Sequence, residues 1–275
     1  KKNYRQITES EAMAMREDSF NQIRDLIITN PVTSKEFSAS DRQYFHRALF
    51  FNRSPKGPLI PPSLKDCRIA NFYLLPKIHK QPWKTRPVVA CCGSINEVLS
   101  KWLDNQFQRV IHLCPAYLKD SDDLISQLKQ LPKLPPSAYL VTVDAVSMYT
   151  NIDTVHGIAI IGKWLERHKS QLPNDFPTIA VMKALTIVMT QNIFSLGDTF
   201  WHQLSGTAMG TSVACVYATI YYAYHEEMCI MVPNNLGLLL YRRFIDDALA
   251  LIINDSKAHA KYHQLLQTMN NFGDP

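Results

Sequence analysis

An α+β fold, with helices on one face of an antiparallel sheet, follows from three observations in this 275-residue sequence. The string YRRFIDDALALII, Tyr241 to Ile253, places two adjacent carboxylates, Asp246 and Asp247, inside an apolar stretch of strand-compatible side chains. It reads as two short strands, Leu238 to Tyr241 and Leu249 to Ile253, joined at the Asp-Asp step. An apolar, β-branched run, Tyr139 to Val143, ends at a third carboxylate, Asp144, and has the profile of a buried strand with a charge at its C-terminal end. Between and before these strands lie segments with helical apolar spacing.

Taken in order, Glu9 to Thr29 carries Met13, Phe20, Ile23, Leu26 and Ile27 among charged residues and predicts a helix, with a second short one after Ser40. The proline-rich SPKGPLIPP, Ser54 to Pro62, breaks the pattern and is the best boundary for an N-terminal extension. NFYLLPKIHK and TRPVVACC form an extended pair with a polar turn near Gln81 to Lys84. A helix is expected from about Ile95 to Leu113, and LPKLPP, Leu131 to Pro136, separates this region from the strand that ends at Asp144. Helices follow over Val155 to Lys169 and Thr178 to Gln191. The loop SGTAMGT, Ser205 to Thr211, then leads into an apolar helix over Val213 to Met231.

Composition excludes a disordered tail: 46% of residues are hydrophobic and 19% charged, enough for one large or two moderate domains. The net charge of +5 is a mild basic excess, and its distribution says more. From Arg68 to Arg86 there are five basic residues (Arg68, Lys77, Lys80, Lys84, Arg86) and His79, interleaved with Phe72, Tyr73 and Trp83, and no acid. Such a mixture suits contact with phosphates and bases, and equally a solvated positive face. Six cysteines (Cys67, Cys91, Cys92, Cys114, Cys215, Cys229) lack CxxC spacing, so reduced intracellular thiols are the simpler reading than zinc or disulfides. The first residues lack a signal-peptide core, and the missing initiator Met suggests a fragment of something longer. The least charged region, Thr199 to His225, contains Gly206, Gly210, Gln203 and His202, which argues against a membrane span.

Each acid alone has an ordinary explanation, a polar hairpin turn for Asp246-Asp247 and a turn cap for Asp144. Together they suggest a metal platform. Mg2+ prefers oxygen ligands and takes one or two carboxylates plus substrate phosphates. Phosphoryl transfer uses two such metals roughly 3.5–4 Å apart, one at the attacking hydroxyl and one at the leaving oxygen. Nucleic-acid synthesis is a chemistry that fits.

Six blocks occur in order: FYLLPKIHK (Phe72 to Lys80), RPVV (Arg86 to Val89), LSKWLD (Leu99 to Asp104), DAVSMYTNI (Asp144 to Ile152), GTAMGT (Gly206 to Thr211) and RFIDD (Arg243 to Asp247). Spanning about two thirds of the chain, they make it resemble a reverse transcriptase, most closely the type encoded by Penelope-like retroelements, whose catalytic domain is related to telomerase.

The resemblance implies the fingers and palm of a right-hand polymerase, an antiparallel palm sheet backed by helices, with the thumb absent. The expected division is an N-terminal helical extension over 1–60, fingers over 61–135 and palm over 136–275. It implies that Asp144 and Asp246, with Asp247 beside them, bind Mg2+ (or Mn2+), and that Lys77 and Arg86 grip the triphosphate. Tyr149 would lie under the incoming sugar and exclude a 2′-hydroxyl. Gly206, Met209 and Gly210 would approach the template–nucleotide pair, with help from Gln203. The implied partners are an RNA template, a DNA primer and dNTPs, with no membrane, and the implied location is intracellular and nuclear. Two positions depart from the family: Phe244 stands where Tyr is usual, and Ser212 where proline is common. An RNA-dependent RNA polymerase, against which Tyr149 argues, and a non-catalytic RNA-binding relic remain the alternatives.

Overall fold

The computed structural model describes residues 3–50, 68–78, 81–233, 236–253 and 257–271, with the side chains of 49 and 50 excepted. The proline-rich boundary, His79, Lys80, Cys67 and the last four residues lie outside this set. The chain forms two compact units, one of residues 1–109 and 149–216, the other of 110–148 and 217–275.

The first unit is built on a five-stranded sheet. Its strands are β1 (Tyr4–Ile7), β2 (Ala70–Lys77), β3 (Lys84–Ala90), β5 (Ile193–Leu196) and β6 (Thr199–Gln203), in the order β1-β6-β5-β2-β3. All neighbours are antiparallel except β2 and β5, so this sheet is mixed. The β2–β3 ribbon is the extended pair the sequence predicts. The β5–β6 hairpin, for which the sequence shows no clear alternation, closes through Gly197 and Asp198, and Gly197 takes φ +56, a conformation glycine adopts without steric cost. Helix α1 (Glu9–Arg24) starts at a capping box between Thr8 and Glu11 and runs on as a π-helical turn, Asp25–Thr29, matching the predicted Glu9 to Thr29. Its Ala12 packs with Ile7 and Ile193 on the sheet. The short α2 (Thr33–Glu36) and α3 (Ala39–Phe45) follow, with α3 capped by Ser38. Asp41 accepts a hydrogen bond from the Trp102 ring N–H (2.7 Å), joining α3 to α4 (Ile95–Gln108).

The second unit holds a three-stranded antiparallel sheet, β4 (Ala138–Asp144), β8 (Asp247–Ile253) and β7 (Leu238–Phe244), in the order β4-β8-β7. One face packs Val141, Tyr241, Ala248, Ala250 and Ile252 against Ile230, Leu236 and Leu265. Leu265 belongs to α10 (Ala258–Asn270) and Ile230 to the π-helical turn Glu227–Met231 that ends α9 (Ala214–Glu226). In β4 only Val141 is buried, while Leu140 is 54% exposed and Thr142 is exposed. The expected fully buried strand is therefore half open, because β4 is an edge strand and its period-2 alternation sends Leu140, Thr142 and Asp144 to the face away from the core. Ahead of it lies α5 (Ser121–Gln130), capped by Asp120. The remaining helices are α6 (Met148–Asn151), α7 (Thr154–Arg167) and α8 (Thr178–Thr190), the last two close to their predicted spans.

Candidate active site

In the second unit, register fixes the acids. Asp144 pairs with Asp247 at one end of β4 and β8, and Phe244 pairs with Asp247 at the β7–β8 turn. Strand alternation puts Asp144, Asp247 and Phe244 on the face opposite the core, and Asp246 occupies the two-residue turn. All three acids are exposed, so their ionisation need not be discharged into an apolar interior. Burial, then the neighbouring charges of Asp246 and Asp144, raise the Asp247 carboxyl above its ordinary range. Carboxylates that crowd each other in this way form a donor set that a hard divalent cation relieves. Among the described residues no group of three or more His, Cys, Asp or Glu side chains gathers tightly enough to hold a metal alone.

The turn that presents Asp246 is strained. Ile245 takes φ +55, the position where two-residue hairpin turns normally use glycine, and a β-branched residue there is a steric outlier. The Ile245 carbonyl accepts a hydrogen bond from Arg243 Nη1 (2.8 Å), and the Asp246 carbonyl accepts from the Ala145 N–H (2.9 Å). Arg243 points to the core side of β7 and is 3% exposed. It donates Nε to Glu226 Oε1 (2.6 Å) and Nη2 to Glu226 Oε2 (3.1 Å) and to the Thr219 carbonyl (2.8 Å). The Tyr241 hydroxyl donates to the same carboxylate (2.8 Å). Burial acts to discharge Arg243, and the Glu226 carboxylate outweighs it, holding the guanidinium above its usual range. Neither Arg243 nor Glu226 was singled out by sequence. The readable signal was parity: an Arg two residues after an inward Tyr241 must face the core and find a partner there.

The first unit carries the other candidate residues. In the β2–β3 ribbon Leu75 pairs with Arg86 and Lys77 with Lys84. One ribbon face therefore carries Lys77, Lys84 and Arg86 together, so Lys84, one of the basic residues of the 68–86 stretch, joins the two expected to grip the triphosphate. Like charges set opposite each other cost stability, so the arrangement favours an anionic occupant.

The glycine loop and Tyr149 are joined by backbone. Thr207 N–H donates to the Tyr149 carbonyl (2.7 Å), Gly206 N–H to the Ile152 carbonyl (2.9 Å), and Val89 N–H to the Met209 carbonyl (2.7 Å). A side-chain carbon on Gly206 would lie 3.1 Å from Thr150, and one on Gly210 would lie 2.2 Å from the Val89 carbonyl oxygen. The close approach these glycines permit is thus to the chain's own backbone, at the Tyr149 turn and at β3. Met209 and Tyr149 are half-buried. Gln203 is buried, accepting from Asn192 (2.9 Å) and donating to the Ser205 carbonyl (3.2 Å), so its amide serves the fold.

No protein-family model and no curated protein matches the chain. Solved structures do. Apo telomerase from Candida tropicalis superposes with a TM-score of 0.54 at 9% identity, over 87% of this chain and 46% of that one. Telomerase from the same organism in complex with a TWJ fragment of telomeric RNA gives 0.51 at 8%, over 71% and 38%. The BmCPV RNA-dependent RNA polymerase at elongation state gives 0.53 at 11%, over 97% and 23%. The chain has a polymerase fold. Its mixed α+β architecture matches the fingers and palm of these enzymes, and it spans about half or less of their length. Among the described residues no helix is long and apolar enough to cross a membrane.

Proposed function

We propose that this chain is the fingers and palm of an RNA-directed DNA polymerase of the Penelope-like kind, which extends a primer 3′-hydroxyl with dNTPs on an RNA template. The observation that carries the reading is the register pairing of Asp144 with Asp247, next to Asp246 at the turn. Asp144 and Asp246 are the proposed Mg2+ ligands, with Asp247 beside them. Divalent cations held by these carboxylates would lower the pKa of the attacking 3′-hydroxyl and offset the charge that builds on the pyrophosphate leaving oxygen. Lys77 and Arg86, with fixed cations on one ribbon face, would hold the triphosphate and offset its developing charge. Tyr149 would exclude the 2′-hydroxyl, and the backbone-tied loop through Gly206, Met209 and Gly210 would hold that turn in place. Buried Gln203 would act only by bracing the loop. A nuclear location would accompany this activity, since the primer ends it would extend are DNA.

The likeness to a viral RNA polymerase keeps that activity as the second reading. Primer extension on RNA and DNA templates, with dNTPs and rNTPs compared in parallel, separates the two. Incorporation of dNTPs on RNA supports the proposal, preference for rNTPs supports the second reading, and no incorporation by the folded chain rejects both.

A further inference from the structure

Two features of the second unit explain each other. Ile245 sits in a left-handed conformation that an Ile side chain resists, next to the Asp246 it presents. Its carbonyl is held by a guanidinium that is itself fixed at three further points, both Glu226 oxygens and the Thr219 carbonyl. The main chain of Arg243 is pinned as well, its N–H donating to the Ala116 carbonyl (2.7 Å) and its carbonyl accepting from the Leu118 N–H (3.0 Å). The Tyr222 ring lies 5.6 Å from the guanidinium carbon. A buried ion pair is costly to desolvate, and an apolar pair would fill the same space. What an apolar pair could not do is donate a hydrogen bond to the Ile245 carbonyl.

We infer that Arg243, locked by Glu226, is a positioning residue that holds the Ile245 turn in its strained conformation and so aims the Asp246 carboxylate at a divalent cation. This rests on the metal reading of the acids given above. Arg is required over Lys because only the planar fork reaches Glu226 with one edge while another N–H reaches the turn.

The inference makes a rescue testable. Glycine adopts positive φ without steric cost, so a turn with glycine at 245 no longer needs the clamp. Binding of Mn2+ alone, followed by the paramagnetic resonance of the free ion, is measured for wild type, Arg243→Lys, Ile245→Gly and the double variant, with circular dichroism to verify folding. Arg243→Lys is expected to weaken Mn2+ binding by about 10- to 100-fold, the usual effect of losing a group that orients a metal ligand. Ile245→Gly alone should bind as wild type, and the double variant should recover most of the loss. A purely structural ion pair predicts no such recovery. A folded Arg243→Lys protein with wild-type affinity, or a double variant no better than Arg243→Lys, overturns the inference. Should Arg243→Lys not fold, Glu226→Asp, which keeps the charge and shortens the lock, replaces it with the same expected pattern. Asp246→Asn separates the two layers: if it binds Mn2+ as wild type does, the metal reading itself falls, and the clamp with it. If it loses Mn2+ while the Arg243 variant does not, only the clamp falls.

Discussion

Asp144 and Asp247 stand directly opposite each other as register partners at the end of the β4–β8 pair. Like charges so placed repel, and the Asp247 carboxyl is raised above its ordinary range first by burial and then by the charges of Asp246 and Asp144.

A stability consequence follows with a definite sign. A carboxyl whose folded pKa is raised favours folding at low pH, and this contribution is lost as pH rises through the folded value. At neutral pH the ionised Asp247 is therefore a cost. Asp247→Asn should raise the melting temperature slightly at pH 7, by roughly 1–2 °C, the scale of an exposed substitution. The gain should vanish well below the carboxylate range. Melting curves at pH 3 and pH 7 check this, and an equal gain at both would refute the electrostatic cause.

The same acids should separate catalysis from binding. Asp144→Asn and Asp246→Asn are expected to lower primer extension by orders of magnitude while template–primer affinity stays near wild type, since that affinity rests on basic groups. Extension assays paired with filter binding test it; near-normal extension by Asp246→Asn would remove the acids from the chemistry.

Ribbon parity gives an internal control. Arg86 and Lys84 share a face with Lys77, whereas Thr85 faces the other way. Arg86→Ala should raise the apparent KM for dNTP and lower the rate, together worth roughly 1.5–3 kcal/mol, as lost charge-assisted contacts usually are. Lys84→Ala should act in the same direction and Thr85→Ala should not. Steady-state kinetics with varied dNTP decide, and a loss confined to template–primer affinity would move the ribbon to the nucleic-acid track.

The glycine loop predicts a contrast in stability. At Gly210 an added methyl meets the Val89 carbonyl at 2.2 Å with φ at +125, so Gly210→Ala combines a backbone clash with conformational strain. It should cost about 3 kcal/mol or more. At Gly197 nothing lies within 4 Å, so Gly197→Ala pays only for its positive φ, about 1–2 kcal/mol. Denaturant unfolding measures both.

How much of this was legible depends on whether a residue's partners lie near it in sequence. The β7–β8 hairpin could be read because an apolar alternation flanks the Asp-Asp step, and α1 because Thr8, Glu11 and the spacing from Phe20 to Ile27 act within a few residues. The β5–β6 hairpin was missed although Gly197-Asp198 is a two-residue turn signal, because each flanking strand is too short to show alternation. β1 was missed because four residues become a strand only by pairing with β6, about two hundred residues away. The Arg243–Glu226 lock is likewise long-range: a helix and a strand must first pack before either charge has its partner.

Tyr149 offers the test that distinguishes classes of polymerase. It lies in α6, which begins immediately after Ser147, a residue held at φ +55. The turn is secured through the backbone, by Thr207 N–H to the Tyr149 carbonyl, so trimming the side chain leaves that tie in place. A ring in this position beneath a sugar would collide with a 2′-hydroxyl. Tyr149→Val or Tyr149→Ala is therefore expected to keep substantial dNTP incorporation and admit rNTPs at least about tenfold better, which corresponds to roughly 1.4 kcal/mol of lost discrimination. Were Tyr149 only a packing residue, both activities would fall together with stability. Because the side chain is half-buried, that fall would be smaller than the roughly 3–5 kcal/mol of a fully buried aromatic. The ratio of dNTP to rNTP incorporation, measured beside the melting temperature, separates the two. An unchanged ratio in a stably folded variant would show that Tyr149 does not select the sugar, and would turn the weight of the argument toward RNA synthesis.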